Sequence, residues 1–209
     1  MENRETNRRD DFLLAMYNQM WGNIDRHILV IWQSVGALLG AFAVLALIEK
    51  NVLPVDLACS IMVVICAWVA AHVIDANYWF TRNLVIIINI ERQFLLSKDL
   101  QDIHPYFRDH RRPTLDHLVV QAWLAASVFF LIAGWHFFTR VAPGFASPWG
   151  NFEFSRALPY VVALIAAVLL FSFKRKQKKS YERLLHDSPG ISLEPELKHR
   201  TATPAVHGP

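Results

Sequence analysis

The sequence predicts an all-α integral membrane protein with four transmembrane helices in two hairpins and cytoplasmic helical extensions of the first and second spans. Three observations predict it. Four apolar stretches punctuate a 209-residue chain that is 54% hydrophobic. The polar residues are gathered between those stretches rather than scattered through them. Finally, 18 of the 21 Lys and Arg residues fall in alternate connections, on one side of the four stretches. A bilayer imposes this segregation and a soluble core does not.

The first 27 residues form an amphipathic segment. Phe12, Leu13, Met16, Tyr17, Met20, Trp21 and Ile24 recur at helical spacing, and Asp10 and Asp11 are placed to cap the start of that helix. Its other face mixes acids and bases, which favours packing against protein over lying in headgroups.

Span one covers residues 28–48 without a charge, close to the ~20 residues a hydrocarbon core requires. Span two covers 55–74. Only EKNVLP separates the two, so they are neighbours in a tight hairpin. Span three covers 118–138 and span four 157–173, joined by a loop over 139–156 rich in Gly, Pro and aromatics. Span four is the shortest and lies near the lower limit for crossing. The region 174–209 is a polybasic segment followed by a Pro-rich, disordered cytoplasmic tail.

Orientation follows from the cations. The first segment, the 98–117 connection with the helix before it, and the last segment hold all but Lys50, Arg140 and Arg156. The positive-inside rule therefore puts both termini and the middle connection in the cytoplasm of a cell inner membrane.

After residue 74 the chain passes through DANYWFTRN and resumes LVIIINIERQFLL with no Gly or Pro. One helix from 55 to about 97 is the simplest reading, about half of it cytoplasmic. Residues 84–90 are apolar nearly all round and need cover, whether from the Phe12–Ile24 stripe, from the segment after Ser97, or from other copies of the chain. The β-branched run Val85–Ile88 leaves a strand as the competing expectation.

An association surface is expected from Gly36 and Gly40, a GxxxG pair that lets helices approach within or between copies, and from Leu84, Ile87, Ile88 and Phe94. Lys174, Arg175, Lys176, Lys178 and Lys179 follow span four directly. They serve as a topology signal and attract anionic lipid headgroups. Nucleic acid is not an expected partner, since this run has no interleaved aromatics.

His72 and Asp75, three residues apart, are the expected polar or gating pair near the inner end of span two. His27, His72 and His117 fall near one membrane depth and are weak candidates to ligate a haem or divalent metal; His104 and His110 lie in the connection between. No diagnostic ligand spacing accompanies them. Cys59 and Cys66 are seven residues apart on one helix and read as packing residues, too distant for a disulfide.

There is no GxSxG, no phosphate-cradling loop, no CxxC and no paired carboxylates in an apolar setting, so no enzyme is expected. The function this predicts is a non-enzymatic membrane protein that self-associates or docks a cytoplasmic partner through its helical stalk, with a small channel-like conduit as one consequence. The alternative is a membrane anchor or redox subunit ligating haem.

Overall fold

The computed structural model describes residues 2–95, 116–146 and 153–187. Among them every regular element is helical. The chain runs α1 (Glu2–Glu49), α2 (Val55–Phe94), α3 (Asp116–His136), a π-helical turn (Phe137–Val141), two short 3-10 segments (Ala142–Ala146 and Phe154–Ala157), and α4 (Leu158–Asp187). All four α-helices contain a stretch long and apolar enough to cross a membrane. His104 and His110, most of the 98–117 connection and the tail beyond residue 187 lie outside the described residues.

The amphipathic first segment and span one form a single 48-residue helix. Nothing interrupts it, because residues 2–49 contain no proline and their few glycines are isolated. Asp10 and Asp11 therefore do not cap a helix start, as their position had suggested. They lie two turns inside α1, and Asp10 pairs instead with its neighbour Arg9 at 3.5 Å.

α1 ends in a tight turn. Asn51 N–H donates to the Ile48 carbonyl at 2.9 Å and Val52 N–H to that of Leu47 at 3.0 Å. Asn51 takes φ 54°, the left-handed conformation that asparagine accepts more readily than other side-chain-bearing residues. Pro54 then stands immediately before α2, where its missing N–H costs nothing, and its carbonyl accepts from Ala58 N–H at 3.0 Å.

α2 runs unbroken to Phe94, about three residues short of the expected end. Val85–Ile88 is helical rather than extended, since burial on both sides outweighs the weak β preference of branched residues. α4 joins span four, the polybasic run and residues 181–185 in one 30-residue helix. The region expected as a plain loop over 139–156 is partly helical, and α3 leaves α-geometry at Phe137, two residues before its expected end.

The chain divides into two compact units. The first holds the described residues of 1–27, 78–113 and 178–209. Its core is Ile24, Leu84 and Ile87, with Tyr17, Met20, Trp21 and Phe80 packed against them. The apolar sector of α2 is thus covered by the α1 stripe, the first of the three covers the sequence allows. Phe12 alone of that stripe faces outward, 64% exposed. Arg9 Nη2 donates to Gln93 Oε1, and Tyr17 OH donates to Glu91 Oε1 at 3.1 Å.

The second unit holds the described residues of 28–77 and 114–177. Its main core joins Leu38 and Ala41 of α1, Cys59, Met62, Cys66 and Val69 of α2, and Ala125 and Ile132 of α3. Ile31, Val73, Ala76 and Leu118 form a second patch. α2 is the central helix, with 44% of its most apolar window buried; the figure for α4 is 6%. Trp123, Phe130, Leu164 and Phe171 accordingly face outward.

Candidate functional site at the Asp56–His136 end

Four ionisable or phenolic side chains from separate elements of the second unit meet at its buried edge. Pro54 sets the start of α2, so Asp56 falls in its first turn, where the unpaired N–H groups favour a carboxylate. Opposite it stands His136, the last residue of α3. His136 Nε2 lies 3.0 Å from Asp56 Oδ1, with side-chain exposures of 0% and 6%. The other ring nitrogen, Nδ1, lies 3.0 Å from the Tyr160 hydroxyl at the start of α4. That hydroxyl also reaches the Ala133 carbonyl at 3.3 Å.

Arg140 completes the carboxylate's shell, with Nε 3.1 Å from Asp56 Oδ1 and Nη2 3.4 Å from Oδ2. His136 and Arg140 are four residues apart, so one helical face carries both. The π-helical turn begins between them. Such wide turns release main-chain groups and recur at functional positions. Thr139 Oγ1 donates to the Trp135 carbonyl at 2.7 Å here. Outward from Arg140 the charges alternate. Arg140 Nη2 is 3.5 Å from Glu153 Oε2, and Arg156 Nε donates to the same oxygen at 3.2 Å. Arg156 Nη1 also donates to the Arg140 carbonyl at 3.2 Å. Behind Asp56, Ser60 Oγ donates to the main-chain carbonyl of Asp56 at 2.7 Å.

An isolated carboxylate at such a place would be expensive, since a buried charge is tolerated only when paired and hydrogen-bonded. Here two cationic or ionisable donors converge on one anion, and an imidazole joins that anion to a phenol. Chemically this arrangement can accept, hold and hand on a proton.

The residues singled out from sequence are placed differently. His72 packs its ring on Trp68, with centroids 4.2 Å apart. Asp75 accepts a hydrogen bond from Gln177 Nε2 at 2.9 Å. Each member of the expected pair thus has a partner of its own, because Trp68 lies four residues before His72 on the same face. His27 stacks on Trp79, centroids 6.1 Å apart and planes 15° from parallel, while His117 is exposed. Among the described residues no three His, Cys, Asp or Glu side chains are grouped so as to hold a metal ion.

Leu84, Ile87 and Ile88 are buried within the first unit, at 5%, 1% and 6% exposure, whereas Phe94 is 39% exposed. Gly36 and Gly40 lie open: a methyl added at either meets nothing within 4 Å. Lys174, Arg175, Lys176, Lys178 and Lys179 are all exposed, with Lys178 3.8 Å from Glu182. Both cysteines are buried and unbridged.

Sequence reasoning missed Asp56, His136 and Tyr160 as site residues. A signal was present: an acid and a histidine each lie inside a predicted span, at ends that the expected topology puts on one side. Comparison of the chain with protein-family models, with curated proteins and with solved structures finds no match.

Proposed function

We propose that this chain is a non-enzymatic multi-pass protein of a cell inner membrane that works by association, with copies of itself through its spans or with a cytoplasmic partner through its first unit. In this reading the four helices cross as two hairpins. Both termini and the first unit are cytoplasmic, and the Asp56–His136 end is external.

The observation that carries the reading is the outer face of α1. A GxxxG pair can serve packing inside one chain or between chains. Gly36 and Gly40 touch no side chain of their own chain, so they remain available to a helix of another. The low burial of the α3 and α4 windows, 17% and 6%, fits faces that lipid or neighbouring copies cover. A small conduit would then lie between copies. Docking of a partner rests on the apolar side chains the first unit leaves exposed, Phe12, Leu14 and Phe94. The five exposed cations after span four fit contact with anionic lipid, at about 1 kcal/mol each.

The test is the mass of the complex in detergent and in lipid nanodiscs. We expect an oligomer that Gly40→Leu converts to smaller species; a strict monomer, or an oligomer indifferent to Gly36→Leu and Gly40→Leu, removes the self-association reading. The haem-anchor alternative has its own check, an absorbance beyond the aromatic band in purified protein.

A further inference from the structure

We propose that His136 is a proton-binding site whose occupancy is relayed, through the single hydroxyl proton of Tyr160, to the junction of α3 and α4. The proposal does not depend on the association reading.

It follows from counting donors and acceptors. Asp56 Oδ1, 3.0 Å from Nε2, also receives Arg140 Nε. A carboxylate so paired only accepts, and therefore Nε2 carries a proton in either charge state of the ring. The proton that comes and goes is the one on Nδ1. That nitrogen faces Tyr160 Oη at 3.0 Å, and the same oxygen is 3.3 Å from the Ala133 carbonyl.

A phenol has one proton to give. When the ring is neutral, Tyr160 donates to Nδ1 and the Ala133 carbonyl loses its hydroxyl. When a proton arrives, Nδ1–H donates to the phenol oxygen, and the phenol proton turns to the Ala133 carbonyl. Both states leave both ring nitrogens and the hydroxyl partnered, so neither carries the penalty of an orphaned buried group. Balance is kept: one proton enters, one N–H forms, and one O–H changes acceptor without breaking.

The surrounding charges differ between the states in a simple way. Asp56 is offset by Arg140 and Glu153 by Arg156. The proton therefore adds one positive charge to a set that otherwise sums to zero. From α2 the groups facing the ring are Asp56 and, one turn on, the thiol of Cys59. Arg140 faces it from the wide turn and Tyr160 from α4, with Ser155 and Glu153 a step further out on Asp56 and Arg140. The ring itself is shut off, but the Arg140 and Glu153 side chains are 36% and 57% exposed. Protons reach the cluster along that edge. A cluster that only braced the helix ends would need no second acceptor within reach of the phenol.

The test uses the full chain in nanodiscs, labelled with 15N-histidine, since nitrogen shifts separate bare from protonated ring positions. From about pH 9 to about pH 4 we expect one histidine whose Nε2 stays protonated while Nδ1 converts from bare to protonated. Its signal disappears in His136→Gln. In Tyr160→Phe the same ring is expected to bind its proton about tenfold more weakly, because the charge-assisted bond made by the protonated ring is the stronger of the two lost. Should His136→Gln not fold, the displacement in Tyr160→Phe makes the assignment. A histidine set with no such conversion overturns the proposal, as does a proton affinity unchanged by Tyr160→Phe.

Discussion

The two units bury polar groups in opposite ways. In the second, Asp56 and His136 are almost wholly enclosed, yet both carboxylate oxygens and both ring nitrogens have partners within 3.4 Å. In the first, Asn83 is 1% exposed with neither amide atom hydrogen-bonded, and buried Glu91 leaves Oε2 unpartnered while Tyr17 holds Oε1. A satisfied network resists the loss of any one member. An unsatisfied group is a standing cost that substitution can relieve.

That contrast makes predictions of opposite sign. The largest effect is expected from Asp56→Ala, which strips the anion from between His136 and Arg140 and should destabilise the second unit by about 3–5 kcal/mol. Thermal unfolding in detergent measures it; a loss below about 1 kcal/mol would mean that the charges are solvated rather than paired. Next comes Ile87→Ala, which opens a cavity in the first unit's core at a cost of about 2–4 kcal/mol, read as faster proteolysis within α2 after residue 78. Asn83→Leu, close in size but without the orphaned amide, should stabilise by about 1 kcal/mol or more. A destabilising result there would reveal a partner for Asn83 and erase the contrast. The smallest effect is expected from Gly36→Ala, whose new methyl has open space. It should leave protomer stability within about 1 kcal/mol of the parent, with any change tilted toward gain because alanine is the better helix former.

How far the sequence spoke for itself differs between the same regions. The four spans and the long α2 were legible because apolar windows and the absence of Gly or Pro from Leu84 to Leu95 leave few alternatives. Cover of Leu84 and Ile87 by the Phe12–Ile24 stripe was legible as one option of three, and the α1 pattern carried it. The Asp56–His136 site was not. Its members are separated by 80 residues, or by 24 between His136 and Tyr160, and no local spacing encodes a meeting made by helix ends. Attention went to His72 and Asp75 because their three-residue interval is visible along the chain. Tertiary packing gave those two to Trp68 and Gln177 instead. The wide turn after His136 was equally hidden, since Phe137–Val141 reads as ordinary apolar helix.

That turn fits an extra residue into the ladder between His136 and Ala142. Were one residue deleted from it, the coil could tighten into regular α-geometry, but everything downstream would swing by about 100° around the axis. Arg140 would leave its carboxylate, and Glu153 and Arg156 would lose their anchor on its guanidinium and carbonyl. The π-turn is thus the register pin of this edge: single-residue deletions between Phe137 and Val141 should prove far more damaging than conservative replacements of the same side chains.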